Sequence, residues 1–266
     1  MKYSFMSFSS PESNFDDLIK LAVKYGYDGI EPRIDPNHKH GIKPEADKLF
    51  LREARKKSAD SGVKICCIAT SCTFADPLTQ AQNIETARNV IVLASEINSP
   101  AIRVFGGKIP DNISRETGIE LVTDALGKLA DFAAANNVTI CIETHDSWCN
   151  PQHVAIVMRN VNHRAVAVNW DIMHPVLTEG FTVENSFNIL KPWIRHVHIH
   201  DGYRENGKLI FKPTGEGKVD HDTAVKLLRD SGYKGFISGE WIRWEPCDVH
   251  LPREIKTLRG LEKNYN

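Results

Sequence analysis

Eight short runs rich in β-branched, aromatic and small apolar residues alternate with amphipathic stretches along this chain, and that alternation constrains the fold more than any other feature. The strand candidates are residues 2–8, 27–34, 63–72, 101–107, 138–146, 164–171, 194–201 and 236–241. Helical periodicity predicts helices near 14–26, 44–61, 78–97, 114–136, 151–161, 183–190, 220–231 and 252–262, with Gly26 and Gly62 as stop signals. The stretch after residue 201 reads as a long polar loop. Parallel strands need a crossover, usually a helix, so strict alternation gives a parallel core with helices outside. Eight such units in about 250 residues fit a single (β/α)8 TIM barrel. A doubly wound sheet would bring a glycine-rich phosphate loop after its first strand, and SFSSPES offers none. GEG at 215–217 reads as a turn. No low-complexity linker divides the chain, so residues 1–266 are read as one domain.

Charge and cysteine usage narrow the function classes. The 33 Lys plus Arg nearly cancel the 34 Asp plus Glu, so the chain lacks the basic excess that DNA, RNA or an anionic membrane surface would call for. No apolar run approaches the roughly 18 residues that span a bilayer. The opening MKYSFMSFSSPESNF interrupts with Ser and Pro the apolar core that a signal peptide needs. Of six cysteines, Cys66, Cys67 and Cys141 lie inside strand candidates and none forms a CxxC pair. They read as small apolar core residues in a reducing cytoplasm. A homo-oligomer is compatible with the sequence.

The stretch IRHVHIHD, Ile194 to Asp201, carries the chemistry. A strand has a period of two, so His196, His198 and His200 share one face while Val197 and Ile199 take the other. A buried imidazole needs a partner. Other strand candidates end in metal-capable carboxylates: Glu143 with His145 two residues on, Asp171 with His174 one turn further, and Glu240. A barrel carries its active site at the C-terminal ends of its strands, so these side chains would converge there with His198. Asp171 alone would be as well explained as a helix cap. Two Glu, one Asp and one His make an oxygen-rich set, suited to Mn2+ first and to Mg2+, Co2+ or Zn2+ as alternatives. Trp170, Trp241 and Trp244 are read either as sugar-stacking rings or as core packing.

IETHD, NWDIMHP, HVHIHD and GEW, in that order, resemble the sugar isomerase/epimerase superfamily with a xylose isomerase-like barrel. Its members include ketose 3-epimerases, hydroxypyruvate isomerase, 3-dehydroshikimate dehydratases and, more distantly, endonuclease IV. The resemblance implies one divalent cation held by Glu143, Asp171, His198 and Glu240, with His198, not His196, as the histidine ligand. It also implies that Glu143 and Glu240 are the catalytic carboxylates and that His145, His174 and Arg204 contact substrate, with Trp241 beside them. Two positions depart from the epimerases: Cys149 stands where they carry a second Glu, and His200-Asp201 where they carry Gly-Glu. ETH, the run from Ser186 to His196 and the terminal EW also resemble metal-dependent 3-dehydroshikimate dehydratases.

Both branches imply the same first step, loss of the proton α to a metal-polarised carbonyl on a carbohydrate or polyhydroxy acid. The sequence reading puts an isomerase or epimerase first. A lyase, with His145, His174 or His200 as acid for the departing hydroxyl, is the alternative. An endonuclease IV-like phosphodiesterase ranks below both, because the chain lacks a basic face and that family's Asp-x-His after His198.

Overall fold

The structure, a computed structural model, describes residues 1–34 and 36–265. In chain order its elements are β1 (Lys2–Met6), α1 (Phe15–Tyr25), β2 (Gly29–Glu31), α2 (Lys48–Ser61), β3 (Lys64–Ile65), β4 (Ile68–Ala69), α3 (Gln80–Glu96), β5 (Ala101–Phe105), α4 (Arg115–Ala135), β6 (Thr139–Glu143), α5 (Pro151–Val161), β7 (Val166–Asp171), α6 (Met173–Glu179), α7 (Val183–Leu190), β8 (Ile194–Ile199), β9 (Asp201–Glu205), β10 (Lys208–Lys212), α8 (His221–Asp230), β11 (Phe236–Gly239) and α9 (Cys247–Lys263). Nine of the strands form one sheet in the order β3-β2-β1-β11-β8-β7-β6-β5-β4, every pairing parallel.

β3 and β4 occupy one barrel position. The strand expected at 63–72 breaks at Cys66–Cys67; its first half pairs with β2 and its second with β5. Cys66 N donates to Ile30 O at 3.0 Å and Ala69 N to Pro32 O at 2.9 Å, which carries the ladder across the break. The result is a nearly closed barrel of parallel strands with helices outside, as the alternation predicted. Helix ends follow local signals: the Asn14 side chain accepts from Asp17 N, and Gly26 ends α1 at φ +78°.

Period-two alternation separates two cores. Outward residues such as Tyr3, Phe5, Val168, Trp170, Val197 and Ile199 pack in the large core that includes the helices. A second cluster of Cys66, Cys67, Ala101, Cys141, Ala167 and Phe236 fills the N-terminal end of the barrel interior. Small residues are required there: a Cβ on Gly29 would meet the Phe236 ring at 2.7 Å. The three strand cysteines are thus buried core residues, as the sequence suggested.

Besides the break in the third strand, three further segments differ from the sequence reading. The polar stretch after β8 holds an antiparallel hairpin, β9–β10. It is pinned at its base by buried Asp201, whose carboxylate accepts from the backbone N–H of Gly202, Gly215, Gly217 and Val219 at 2.8–3.3 Å. The GEG turn wraps this carboxylate so closely that a Cβ on Gly217 would lie 2.0 Å from Asp201 Oδ1. α6 is an additional helix after β7, and α9 starts at Cys247 with Pro252 inside it. Pro252 had suggested a first-turn position.

The loop after β5 is equally tight. Fully buried Trp148 donates from Nε1 to Gly107 O at 2.8 Å, and a Cβ on Gly106 would meet that indole nitrogen at 2.2 Å. Gly106→Ala is therefore expected to destabilise the protein by about 1–3 kcal/mol through overpacking, read as a lower urea midpoint with unchanged m-value.

Candidate active site

Strand ends on one side of the barrel bring the sequence-selected residues together. Glu143 closes β6, Asp171 closes β7, His196 and His198 lie on the inner face of β8, and Glu240 follows β11. Register does the placing: His198 is level with Asp171 on one neighbour and with Ser238 on the other. Ligand atoms of Glu143, Asp171, His198 and Glu240 all lie within 4.8 Å of one another, and all four residues are buried. His198 Nδ1 stands 3.3 Å from Glu143 Oε1 and 3.2 Å from Glu240 Oε2.

Two residues that strand-by-strand reading missed hold this cluster in place. Glu31, at the end of β2 and fully buried, accepts from His196 Nε2 at 2.8 Å and from His198 Nε2 at 3.1 Å. That contact occupies the far nitrogen of His198 and turns Nδ1 toward Glu143 and Glu240. Arg103, from β5 and also fully buried, sets Nε 2.9 Å from Glu143 Oε2 and Nη2 4.0 Å from Glu240 Oε1. Its Nη1 donates to Thr70 O at 2.7 Å, and its Cζ lies 4.0 Å from the Phe105 ring centre. A signal for both was present, since Glu and Arg are seldom fully buried unless paired, and each interrupts an apolar strand.

Charge sets the ionisation of the group. Burial opposes ionisation of Glu143, but Arg103 and His198 outweigh it and bring its carboxyl down to about 2. Glu240 also falls to about 2, with burial and Glu143 outweighed by His198 and His200. Burial favours a neutral His198, yet Glu31, Glu143 and Glu240 hold it well above the ordinary histidine range. Four buried carboxylates here, Glu31, Glu143, Asp171 and Glu240, face the guanidinium of Arg103 and the imidazoles of His196, His198 and His200. Asp171 shares itself between two roles. Its Oδ1 caps α6, accepting from Met173 N and His174 N at 2.8 and 2.9 Å, while buried Oδ2 lies 2.8 Å from His200 Nε2. Three carboxylates and one imidazole converging on one point fit a hard divalent cation.

The other expected contacts separate. His145 lies at the rim, 3.0 Å from Asp146 Oδ1, with its ring 4.9 Å from Phe105 and 4.5 Å from His174. Burial disfavours its charged form, but Asp146 and then Glu143 outweigh burial and raise it to about 9. His174 is mostly buried beside Asp171 and His200. Arg204 is exposed on β9, where it donates to Thr178 Oγ1 at 3.3 Å and to Gly207 O at 3.5 Å. Trp170 packs outside the barrel on Phe187 and donates to Ser186 Oγ, so it is a core residue. Trp241 is buried against His250 and lines a cleft of about 850 Å3 with Phe8, His38 and Trp244. None of the four clustered residues lines that cleft. The cleft lies beside the cluster, since Trp241, which lines it, directly follows Glu240 in the chain.

Comparison with known proteins agrees with this architecture. The profile of the xylose isomerase-like TIM barrel family matches residues 19–261. A 3-dehydroshikimate dehydratase of Bacillus anthracis is 26% identical over 98% of this chain and 99% of its own length. The solved structure of a probable 3-DHS dehydratase from Bacillus anthracis superposes with a TM-score of 0.80 at 24% identity, covering 97% of this chain and 99% of that one. An L-ribulose 3-epimerase structure gives a TM-score of 0.81 at 17% identity, over 99% and 95% of the two chains. No helix among the described residues is long and apolar enough to cross a membrane.

Proposed function

The chain belongs to the xylose isomerase-like TIM barrel family, and from that premise we propose that it is a metal-dependent enzyme that removes the proton α to a carbonyl of a small polyhydroxylated substrate and expels a β-hydroxyl as water. The observation that carries this reading is the position of His145, a rim imidazole 3.0 Å from Asp146 Oδ1 and two residues beyond Glu143, where it can pass a proton to a leaving oxygen while Glu143 and Glu240 serve as acceptors. The 26% identical Bacillus dehydratase supports the same reading.

Glu143, Asp171, His198 and Glu240 would hold the cation, with Mn2+ the best match to three oxygens and one nitrogen. When bound, it supplies Lewis acidity that polarises the substrate carbonyl and acidifies the adjacent C–H. The rest is done by side chains. Glu143 and Glu240 are both ionised at neutral pH, the state a base requires, and one of them takes the α-proton. The electron pair of that C–H bond becomes the new C=C bond as the β C–O bond breaks. His145 passes its proton to the leaving oxygen, and water departs. Arg103 keeps Glu143 ionised and oriented, and Glu31 fixes the ring of His198.

An isomerase or epimerase is the second reading. It is favoured by Glu143 and Glu240 flanking the same His198 nitrogen at 3.3 and 3.2 Å, which offers two bases to one carbon. Incubation of the Mn2+-loaded protein with a panel of ketoses and dehydro-acids, read by product mass, separates the two. Loss of one water is expected, and an isobaric product would overturn dehydration. His145→Gln should slow water loss by about 10²–10⁴-fold while leaving exchange of the substrate α-proton with solvent near wild type. Equal loss of both would remove His145 from the leaving-group step.

Partners of metal-binding histidines tune affinity. Glu31→Gln is expected to weaken Mn2+ binding by about 10–100-fold in equilibrium dialysis. Unchanged affinity would mean that the contact to His198 Nε2 is structural only.

A further inference from the structure

The cleft beside the cluster has a construction of its own. Its volume is about 850 Å3, within the range of about 300–1,000 Å3 that holds drug-sized ligands. Glu143, Asp171, His198 and Glu240 do not line it, so it is room beyond the place where the substrate reacts. Two aromatic walls from different strand ends bound it. Phe8, after β1, and His38, after β2, form one wall, with ring centroids 5.1 Å apart. Trp241 and Trp244, after β11, form the other. The His250 ring packs 5.2 Å from Trp241 and 5.7 Å from Trp244 and ties the second wall together.

A run of rings joins this cleft to the cluster. His200, whose Nε2 lies 2.8 Å from Asp171 Oδ2, has the Phe211 ring 5.7 Å away, and Phe211 in turn stands 6.3 Å from Trp244. A molecule reacting at Glu240 can therefore extend along the rings into the cleft. Polar side chains in the lining are engaged with their neighbours. Ser9 Oγ meets His250 Nε2 at 3.0 Å and His38 Nδ1 meets Ser7 Oγ at 2.7 Å. Glu12 pairs with Lys39 and Glu245 with Arg253, while Arg243 is exposed. A second sugar ring would need hydrogen-bonding partners for its hydroxyls, whereas a flat conjugated ring needs only the faces and edges of the walls.

We propose that the cleft is a subsite for a planar aromatic ring carried by the substrate, which makes the substrate an aryl conjugate of a polyhydroxylated carbonyl compound. This rests on the proposed reaction for the part of the molecule held at the cluster. The cleft itself can be tested without turnover.

Calorimetry on the Mn2+-loaded protein compares three probes that have no free carbonyl and so do not react: phenyl β-D-glucopyranoside, methyl β-D-glucopyranoside and methyl β-cellobioside. The phenyl compound is expected to bind about tenfold tighter than the other two. Phe8→Leu and Trp244→Leu should each reduce that preference to about threefold or less and leave the methyl glucoside unchanged. Equal affinity for phenyl and methyl glucosides, or no binding of the phenyl probe at millimolar concentration, would overturn the proposal. So would a cellobioside that binds as tightly as the phenyl probe, which would make the cleft a sugar subsite. A dimer in sedimentation that Trp244→Leu dissociates would also overturn it, by filling the cleft with a second copy. Should a variant fail to fold, a crystal of the wild type with the phenyl probe decides: the ring lies between Phe8 and Trp244, or the proposal fails. A phenyl preference that stands while no substrate loses water would sink the dehydration and keep the subsite.

Discussion

Glu240→Gln is expected to lower kcat by about 10²–10⁴-fold and to weaken cation binding, while the metal-free protein loses less stability than Glu143→Gln does. The substitution removes a base and a ligand charge together and preserves shape. Its cost in folding is smaller than that of Glu143→Gln, because the lost attraction of Glu240 to His198 and His200, which brings its carboxyl down to about 2, is partly offset by relief of its repulsion with Glu143. Glu143→Gln should behave differently although its catalytic loss is comparable. Glu143 pairs with Arg103 at 2.9 Å and both side chains are 0% exposed. Removing one partner of a buried pair strands the other charge at a cost of about 3–5 kcal/mol. Turnover at saturating Mn2+ and metal-free thermal melts check both. Near-wild-type kcat in Glu240→Gln would exclude it as a base, and equal stability of the two variants would exclude the Arg103 pairing.

That contrast marks what the sequence made legible. Each strand announces its own C-terminal residue, so Glu143, Asp171, His198 and Glu240 could be read in place, and alternation alone carried the barrel. What a strand meets across the interior is a property of closure. Glu31 contacts His196 from 165 residues away in the chain, and no local pattern joins β2 to β8. The break at Cys66–Cys67 was hidden because both halves are apolar. The hairpin was hidden because β9 (DGYRE) is largely polar and the apolar centre of β10 (KLIFK) is only three residues long and half-buried. It also explains Arg204: a motif match placed it near substrate, but β9 carries it out to solvent. α6 escaped notice because it is only 7 residues long and contains Pro175.

The histidine assignment follows from the same interior geometry. His198 presents Nδ1 to Glu143 and Glu240 and gives Nε2 to Glu31, whereas His196 donates from Nε2 to Glu31. On the proposed function, losing His198 would remove a ligand from the centre of the cluster. Losing His196 would leave the four proposed ligands intact and remove one of two donors to Glu31, so its effect should fall on stability. The direct measurement is Mn2+ content by mass spectrometry of His198→Ala and His196→Ala, each purified folded and dialysed against the same buffered Mn2+. His196→Ala should retain the ion bound by the wild type and His198→Ala should lose it. Metal kept by His198→Ala and lost by His196→Ala would contradict the assignment of the site.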